Sequence, residues 1–359
     1  MEGVVVNKTF WKDKKVLITG HTGFKGSWLS LWLQKTGSEV VGLSLSQVTN
    51  PNLFEVANVA SGMHSIDGDV RDLEQLKATV EKHQPEIIIH MAAQSLVRYS
   101  YTNPIETYTT NILGTINVLE AVRQVKGPRV VLIVTSDKCY QNNEWLWGYR
   151  ENEPMGGHDP YSNSKGCAEL AVSAYRFSYF PVEDFDRHKV AVASARAGNV
   201  IGGGDWAEDR LVPDTIKAFM ENRSVIVRSP NAMRPWQHVL EPLHGYLSLI
   251  EKLWINGPEF SGGWNFGPKD DVREVSWIVE KMVKLWGGNA QWNLDKNLHP
   301  HEATYLKLDC SKANNVLKWI PKLNLTDALE WIVKWYRNYQ ENKDMRAYTE
   351  AEISRYEEL

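Results

Sequence analysis

Cysteine is scarce in this sequence of 359 residues. Its three cysteines, Cys139, Cys167 and Cys310, stand singly and form no C-x-x-C pair. Because the count is odd and the spacing is wide, the sequence excludes a disulfide framework and a zinc knuckle. We therefore expect no metal site and a reducing, cytoplasmic compartment.

Long apolar runs and an excess of one charge are also missing. No stretch approaches the run of about 18 apolar residues that spans a membrane. The polar start, 1–15, lacks the apolar segment of a secretory signal. Lys and Arg number 40 against 44 Asp and Glu, which gives a net charge of −4. We expect no nucleic-acid partner and no membrane partner.

What the chain does contain is enough apolar material for a folded interior. Hydrophobic residues make up 43% and aromatic residues 11%, which excludes intrinsic disorder, and the length suggests two lobes. Several of the tryptophans stand at helical spacing, which favours packing over sugar stacking. These are Trp28, Trp32, Trp331 and Trp335.

Short apolar runs alternate with helix-length amphipathic stretches through the first 200 residues. The runs predict strands at 15–19, 39–45, 65–69, 86–90, 130–135 and 190–195. The stretches between them predict helices at 24–36, 72–83, 104–125 and 161–180. Strand followed by helix, repeated in this way, indicates a parallel sheet that is covered on both faces.

The first strand leads into a glycine-rich turn and then a helix, over Gly20-His21-Thr22-Gly23-Phe24-Lys25-Gly26. Glycines at this spacing allow a tight turn and the close approach of a diphosphate to the backbone at a helix N-terminus. The pattern predicts a Rossmann-type doubly wound α/β fold that binds a dinucleotide. The predicted cofactor contacts are Gly20, Thr22, Gly23, Phe24 and Lys25, and a purely structural turn is the alternative.

The acid that usually ends the second strand and binds the adenosine ribose is absent. Gly42-Leu43-Ser44-Leu45-Ser46 holds neither an acid nor a cation for a 2′-phosphate, so NAD is favoured over NADP. Ser44 or Ser46 could form weaker hydrogen bonds to the ribose. Asp69 and Val70 follow the third strand and are placed for adenine, although a solvated loop carboxylate is the alternative for Asp69.

The pattern changes near residue 200, where Gly202-Gly203-Gly204 marks a loop. Helices are predicted beyond it at 212–221, 239–254, 273–286 and 324–341. We predict an NAD-binding domain over 1–200, to which a segment near 239–265 returns. Residues 201–359 are then mainly a smaller, mixed α/β substrate-binding lobe.

Tyr161 and Lys165 stand four residues apart, on one face of a predicted helix that starts at Asp159-Pro160. An ammonium beside a phenol is expected to lower the phenol pKa from its usual value of about 10. A tyrosinate formed in this way can take a hydroxyl proton as hydride leaves the same carbon. Tyr339 and Lys343 repeat the spacing in a polar terminal helix, where we expect a surface pair.

Motifs along nearly the whole chain resemble those of the extended short-chain dehydrogenase/reductase family. They are Thr19-Gly20-x-x-Gly23-x-x-Gly26, His90-Met91-Ala92-Ala93-Gln94, Asn111-x-x-Gly114-Thr115, Tyr161-x-x-x-Lys165 and Arg196-x-x-Asn199-Val200. The resemblance implies further NAD contacts at Ala92, Ala93, Gln94, Asn111, Thr135, Tyr161 and Lys165.

Within this family, Thr135-Ser136-Asp137-Lys138-Cys139-Tyr140 resembles the site of nucleotide-sugar 4,6-dehydratases. Those proteins usually carry Thr-Asp-Glu where this chain has Ser-Asp-Lys. The Ser-Asp-Lys version, together with the flanking glycine motifs, is similar to that of members acting on CDP-glucose. The resemblance implies a lyase of deoxysugar and O-antigen biosynthesis that forms CDP-4-keto-6-deoxyglucose.

The resemblance also implies roles for the side chains. Tyr161, helped by Lys165 and Ser136, would remove the O4 proton of the sugar while C4 hydride passes to NAD. The 4-ketone then acidifies the C5 proton, and a protonated Asp137 could donate to the leaving C6 hydroxyl. Lys138 stands where relatives carry a glutamate base. We favour a neutral Lys138 as the C5 base, with enolate stabilisation or a solvated ion pair with Asp137 as alternatives.

Asn199 and Arg234 match positions that bind the substrate diphosphate, for which the arginine fork is suited. Ser95, Arg210 and Arg228 are secondary candidates, and the alternative for the two arginines is an ordinary surface position. Family members pair the helices at 104–125 and 161–180 across a dimer interface, so we expect a homodimer, with a tetramer also open. The apolar residues concerned are Leu170, Val172, Tyr175, Phe177 and Phe180.

Three other functions remain as alternatives. One is a 4,6-dehydratase of another nucleotide sugar, and a second is an NAD-dependent C4 epimerase or reductase of the same fold. Neither an epimerase nor a simple reductase needs the Asp137–Lys138 pair. The third is a non-catalytic NAD-sensing module, which would be expected to lack Ser136, Tyr161 or Lys165.

Overall fold

The apolar segments of the chain form short strands that end at polar or glycine-containing turns. The computed structural model describes residues 5–47, 49–268, 272–295, 297 and 305–359, so that residues 1–4 of the polar start lie outside it. The strands are β1 Lys15–Thr19, β2 Glu39–Ser44, β3 His64–Asp67, β4 Ile87–His90, β5 Val130–Val134, β6 Ala191–Ala197, β7 Asn199–Ile201, β8 Val225–Val227, β9 Met233–His238, β10 Gly262–Phe266, β11 Val272–Glu274 and β12 Trp292–Leu294.

The helices connect these strands and follow them at the carboxyl end of the chain. In the first half they are α1 Lys8–Trp11, α2 Phe24–Lys35, α3 Leu53–Val56, α4 Leu73–His83, α5 Val97–Thr102, α6 Pro104–Tyr108, α7 Gly114–Gln124 and α8 Pro160–Ser178. In the second half they are α9 Phe185–His188, α10 Leu211–Met220, α11 Leu240–Asn256, α12 Val275–Trp286, α13 Leu325–Gln340 and α14 Met345–Glu357.

Seven strands form one sheet in the order β10-β6-β5-β4-β1-β2-β3, and every pairing within it is parallel. Side chains alternate across β1, so that Val16 and Ile18 pack into one core with α2 and α11. Leu17 points to the other face and packs into a second core with α4 and α7. The predicted doubly wound parallel sheet is confirmed.

The second half of the chain returns to this sheet and also builds two smaller sheets. Strand β10 pairs with β6 at the edge of the large sheet, and α11 packs on β5 and β6. Strands β11, β9 and β7 form a three-stranded sheet, while β12 and β8 pair in parallel. Within the described residues, no helix has the length and hydropathy that crossing a bilayer requires.

The tryptophans predicted to pack in the interior do so. Trp28, Trp32 and Trp335 are fully buried, and Trp331 is nearly so. The indole nitrogen of Trp28 donates to the Gly203 carbonyl at 2.9 Å. A Cβ atom at Gly203 would lie 2.1 Å from Trp335 Cγ, so the loop at 202–204 is packed closely against these rings.

Three local expectations were wrong. The helix expected over 104–125 is divided, because a π-helical turn at Thr109–Leu113 separates α6 from α7. Helix α14 was not expected, although Asp344 caps it by accepting from the Ala347 N–H at 3.0 Å. Tyr339 is not part of a surface pair: α13 ends at Gln340, before Lys343, and the Tyr339 ring stacks on Trp335.

Candidate active site

The carboxyl ends of the central strands face one cavity of about 890 Å³, which also contacts the second half of the chain. Parallel sheets bind ligands at this edge. All the residues predicted for the site except Gln94 and Asn111 line this central cavity. They are Gly20, Thr22, Gly23, Phe24, Lys25, Ser44, Asp69, Val70, Ala92, Ala93, Ser95, Thr135, Ser136, Asp137, Lys138, Tyr161, Lys165, Asn199, Arg210, Arg228 and Arg234.

The glycine loop has the shape that a diphosphate cradle requires. Gly20 has a φ of +78°, and a Cβ atom there would lie 2.7 Å from the Ala92 nitrogen. A Cβ atom at Gly26 would lie 2.1 Å from the Gly20 carbonyl oxygen. Gly23 precedes α2 and supplies no side-chain cap, so the first N–H groups of this helix remain available to an anion.

His21 lies inside the glycine loop but points away from the cavity. Its imidazole is buried and takes the space above Gly42, where a Cβ atom would lie 2.2 Å from His21 Cγ. Its Nε2 atom lies 2.7 Å from Ser65 Oγ. Burial lowers the pKa of His21 to about 4, so this side chain is a neutral structural part of the loop.

Lys25 is the charged member of the loop, and its Nζ atom lies 3.1 Å from the Tyr246 hydroxyl on α11. Burial and the positive charges of Lys165 and Arg210 lower the pKa of Lys25 to about 7. Sequence reasoning missed Tyr246, because it lies on a helix 221 positions further along the chain.

The expected adenosine end of the site carries hydroxyl groups and one engaged carboxylate. Ser44 Oγ lies 2.8 Å from Thr22 Oγ1, so the end of β2 is tied to the glycine loop. The Asp69 carboxylate accepts from Arg71 Nε at 2.8 Å. This bond to the guanidinium lowers the pKa of Asp69. Asp69 is therefore ionised and paired, rather than a free solvated carboxylate.

The two exceptions, Gln94 and Asn111, do not line the cavity and support the loop behind it. The Gln94 backbone N–H donates to Asn111 Oδ1 at 2.9 Å, and Asn111 Nδ2 donates to the Gln94 carbonyl at 3.0 Å. Asn111 also donates to Ser164 Oγ at 2.8 Å. Because Asn111 lies in the π-helical turn and Ser164 on α8, these bonds join the loop to the helix of Tyr161 and Lys165.

The chain leaves β5 and makes a short turn that brings three polar side chains together. Ser136 Oγ donates to Asp137 Oδ1 at 3.0 Å and accepts from the Lys138 N–H at 3.3 Å. Lys138 Nζ lies 3.2 Å from Asp137 Oδ1 and 3.2 Å from Asn199 Oδ1. Lys138 is therefore held by one group from each of two different strand ends.

Asp137 is 1% exposed and is enclosed in the cavity wall, whereas its partner Lys138 is 29% exposed. Its Oδ1 atom is engaged, whereas Oδ2 is buried and has no hydrogen-bond partner among the described residues. A Cβ atom at Gly198 would lie 3.2 Å from Oδ2, so the carboxyl group is packed beneath that glycine. A buried carboxyl oxygen without a partner is costly, so a donor from a bound ligand would stabilise it.

Tyr161 lies in the first turn of α8, where Asp159 caps the helix by accepting from the Ser162 N–H at 2.9 Å. Burial raises the pKa of Tyr161, and the Lys138 charge and the Ser136 hydrogen bond oppose that rise only in part. The expectation that Lys165 lowers this pKa below its usual value was therefore wrong for the protein alone. Desolvation outweighs the nearby cations.

Lys165 is held over a buried ionic network that sequence reasoning missed. Burial lowers the pKa of Lys165 to about 8, and the Glu169 charge one helical turn away opposes that change. Glu169 accepts from Arg196 Nη2 at 2.7 Å and from Ser194 Oγ at 2.7 Å. The only signal in the sequence was the spacing of four between Lys165 and Glu169.

The secondary arginine candidates are both wall residues and not ordinary surface arginines. Arg210 donates to Asp205 Oδ2 at 3.0 Å and to Ser95 Oγ at 2.8 Å. Arg228 donates to Asp209 Oδ1 at 3.0 Å. Each acid orients an arginine into the cavity, where a bidentate fork suits a diphosphate.

Arg98 also donates to Asp209, at 2.9 Å, and sequence reasoning gave no indication of this residue. Arg234 lines the cavity and donates to the Met233 carbonyl at 3.1 Å. In the described part of the chain, no group of His, Cys, Asp and Glu side chains has an arrangement that could hold a metal ion.

The parallel sheet, the glycine loop and the helix of Tyr161 and Lys165 define an extended short-chain dehydrogenase/reductase. A family model described as GDP-mannose 4,6 dehydratase matches residues 17–257. The chain belongs to this family, which is also supported by a relative of almost equal length. That relative, CDP-glucose 4,6-dehydratase of Salmonella typhimurium, is 56% identical over 353 residues, which is 98% of each chain.

More distant relatives share the fold. The dTDP-D-glucose 4,6-dehydratase of Mus musculus is 24% identical over 90% of this chain and 89% of its own. A crystal structure of dTDP-glucose 4,6-dehydratase from Bacillus anthracis in complex with NAD superposes with a TM-score of 0.74 at 21% identity, covering 91% of this chain and 98% of that one. UDP-glucuronic acid 4-epimerase from Bacillus cereus, in complex with UDP-glucuronic acid and NAD, gives 0.77 at 21% identity, covering 90% and 99%.

Proposed function

We propose that the protein is an NAD-dependent hydro-lyase that converts CDP-glucose to CDP-4-keto-6-deoxyglucose. The observation that carries the proposal is the presence of two functional pairs in one cavity. Tyr161 and Lys165 suit oxidation at C4, while Asp137 and Lys138 suit elimination across C5 and C6. The nucleotide comes from the relative of 56% identity, whose name specifies CDP-glucose.

The residues present fit a bound dinucleotide. Gly20 and Gly26 allow the close backbone packing that shapes the turn, because a Cβ atom at either would collide with the backbone of Ala92 or Gly20. The start of α2 offers its N–H groups beside this turn. Ser44 and Asp69 border the adenosine end. When bound, NAD supplies a hydride acceptor for C4 of the sugar and the hydride donor for C6.

Tyr161 is the base that takes the O4 proton of the sugar. Its raised pKa means that the phenol holds its proton in the protein alone, so the base requires cations nearby. The Ser136 hydrogen bond and the charge of Arg210 both favour the phenolate. Lys165, on the same face of α8, is proposed to help Tyr161 through its positive charge.

The elimination of water then uses Asp137 and Lys138. Lys138, as a free amine, takes the C5 proton, which the 4-ketone has made acidic. Asp137 gives its proton to the C6 oxygen, so that water leaves and a double bond forms between C5 and C6. Lys138 returns a proton to C5 as C6 is reduced. Tyr161 then releases the proton that it took from O4, and Asp137 takes one up from water in the cavity, so the protons balance. The unpartnered Oδ2 atom of Asp137 supports its role as a proton donor.

The substrate diphosphate is proposed to lie among Asn199, Arg210, Arg228 and Arg234. The three arginines follow residue 200, which supports a substrate-binding lobe over 201–359. The segment at 239–265 is assigned with 1–200 to the NAD-binding domain. Its support is that α11 packs on the large sheet and β10 pairs with β6.

We also propose a cytoplasmic homodimer. The three cysteines are free, as a reducing compartment requires. Four large apolar side chains of the segment from α6 to α7 and of α8 are at least half exposed, which supports an interface there. They are Ile105, Leu113, Leu170 and Phe177. Val172 and Phe180, which were expected to contribute, are buried within the subunit.

The test is to incubate the purified protein with NAD and CDP-glucose, and separately with UDP-glucose and dTDP-glucose. We expect the alkaline absorbance of a 4-keto sugar from CDP-glucose, together with a C6 methyl signal in the proton NMR spectrum. A C4 epimer without a methyl signal would make the protein an epimerase. Faster turnover of either other sugar would overturn the assignment of the nucleotide.

A further inference from the structure

One wall of the central cavity, near Arg228, differs from the rest because it is largely apolar. It is formed by β8 and by the first turn of α10, which pack against each other. Leu211, Val225 and Ile226 line it, and the Ile226 side chain is 63% exposed although it is apolar. A flat aromatic ligand would cover such a side chain.

Asp214 is the charged residue of this wall, and it differs from the other aspartates that line the cavity. Each of those is engaged in a hydrogen bond or an ion pair by its side chain. Among the described residues, no side chain or backbone group donates to the Asp214 carboxylate. The engaged pairs are Asp69 with Arg71, Asp137 with Lys138, Asp159 with Ser162, Asp205 with Arg210, and Asp209 with Arg228.

The surroundings of Asp214 explain why it has no partner. Arg228 lies close enough to act on it but is bonded to Asp209, and Lys217 pairs with Glu208. Burial and the negative charge of Asp209 raise the pKa of Asp214 to about 6. The carboxylate is thus ionised at neutral pH, partly desolvated and without a donor, which is a costly state that a ligand donor would relieve.

The nature of that donor follows from the proposed function, on which this inference rests. Arg228 is proposed to bind the diphosphate, and on the side of the diphosphate away from the hexose a nucleotide sugar has only its ribose and its base. Pyrimidines differ at position 4 of the ring: cytosine carries an amino donor there, whereas uracil and thymine carry a carbonyl acceptor. We propose that Asp214 selects cytosine by accepting a hydrogen bond from its 4-amino group while Ile226 packs against the ring.

A uracil or thymine base in the same position would place its O4 oxygen against the carboxylate. Two acceptors would then face each other without a proton between them, in a partly buried site. A site built to bond one group rejects an analogue that lacks it more strongly than an apolar pocket rejects a change of shape. Asp214 therefore acts both by attraction of one base and by repulsion of the others.

The experiment compares wild type with Asp214→Asn, whose amide has the same shape but can accept from an amino group or donate to a carbonyl. Calorimetry measures the affinities for CDP and UDP, and steady-state kinetics measures kcat/KM for CDP-glucose and UDP-glucose. We expect the preference for cytidine over uridine to fall about ten- to hundredfold, mainly through KM. Glu208→Gln, a change of charge at a neighbouring exposed residue, should leave the preference unaltered.

Asp214→Ala is a second variant that removes the acceptor and offers no donor. It should bind CDP more weakly and UDP no more weakly than wild type does. Unchanged relative affinities for CDP and UDP in both variants would overturn the role of Asp214. If wild type binds CDP over UDP through Asp214 but does not dehydrate CDP-glucose, the proposed reaction is wrong while the base assignment stands.

Discussion

The side-chain nitrogen of Lys138 lies 3.2 Å from Oδ1 of Asp137, its neighbour in the chain. Asp137 is buried, and Lys138 is 29% exposed, so the pair lies in the cavity wall with the lysine toward the open side. The two groups that the proposed elimination uses as acid and base therefore touch each other, and a change to one alters the other.

Lys138→Ala separates the two steps of the proposed reaction. If Lys138 is the C5 base, oxidation at C4 should persist, because Tyr161 and Lys165 remain. Exchange of the C5 proton with deuterated solvent should disappear, and so should formation of the 6-deoxy product. NMR of the sugar recovered from deuterated buffer measures both. Undiminished C5 exchange would leave Lys138 as a stabiliser of the enolate.

Tyr161→Phe keeps the ring and deletes the base. We expect kcat to fall by about 10²–10⁴-fold with a small change in KM. The matched control is Tyr339→Phe, since the Tyr339 ring is packed on Trp335 and its hydroxyl bonds to no described residue. That variant should be near wild type in both activity and thermal stability. Equal losses at the two positions would refute the assignment.

The hydroxyl groups at the adenosine end predict weak binding of NAD. Ser44 is already bonded to Thr22, so it offers the ribose less than a carboxylate would. An aspartate at Ser44 or Ser46 should tighten NAD about tenfold and weaken NADP, because the carboxylate bonds the ribose hydroxyls and repels a 2′-phosphate. Calorimetry measures both affinities. Wild type that retains stoichiometric NAD through extensive dialysis would contradict the prediction.

Lys25 predicts a particular dependence of stability on pH. Its pKa is about 7 in the folded state and 10.5 when unperturbed, so the unfolded chain binds the extra proton between these values. Stability contributed by this group is therefore lowest below about pH 7 and rises toward pH 10. In urea denaturation, Lys25→Met should be more stable than wild type at about pH 6, by a margin that shrinks at about pH 9. The exposed Lys12→Met should show no such trend.

Leu170 and Phe177 are exposed apolar side chains on α8, and we predict that charged residues in their place disrupt the dimer. Leu170→Glu with Phe177→Glu should convert a dimer to a monomer, as measured by light scattering at micromolar concentration. Ile255→Glu is the control, because Ile255 is equally exposed on a different helix. A wild-type monomer at that concentration would rule out the proposed interface.

Sequence reasoning located the first six strands to within about two residues, because buried parallel strands are continuous apolar runs bounded by turn residues. The six later strands, which are short and belong mostly to the smaller sheets, were not located. Local signals also placed Ser136 after the end of a buried strand and Tyr161 near the start of a helix, as the structure has them. The π-helical turn at Thr109–Leu113 was not predicted, because the spacing of apolar residues in a helix changes little through such a turn.

Contacts between residues far apart in the chain could not be predicted from the sequence. The bond between Lys25 and Tyr246, and the convergence of Arg98 and Arg228 on Asp209, join residues far apart in sequence. The pKa of Tyr161 was missed for a related reason. Spacing shows which charges are near a group, but only the packed structure shows how much water the group has lost.

Strand β6 of the large sheet and strand β7 of the three-stranded sheet are separated by Gly198 alone. The φ and ψ angles of this one residue set the direction in which the chain passes from one sheet to the other. Any tilt between them would turn about a point that lies next to the Asp137 carboxyl and one residue before Asn199. A change of angle at Gly198 would therefore be felt directly at the site, because Lys138 is bonded to Asp137 and to Asn199, which lies next to that glycine.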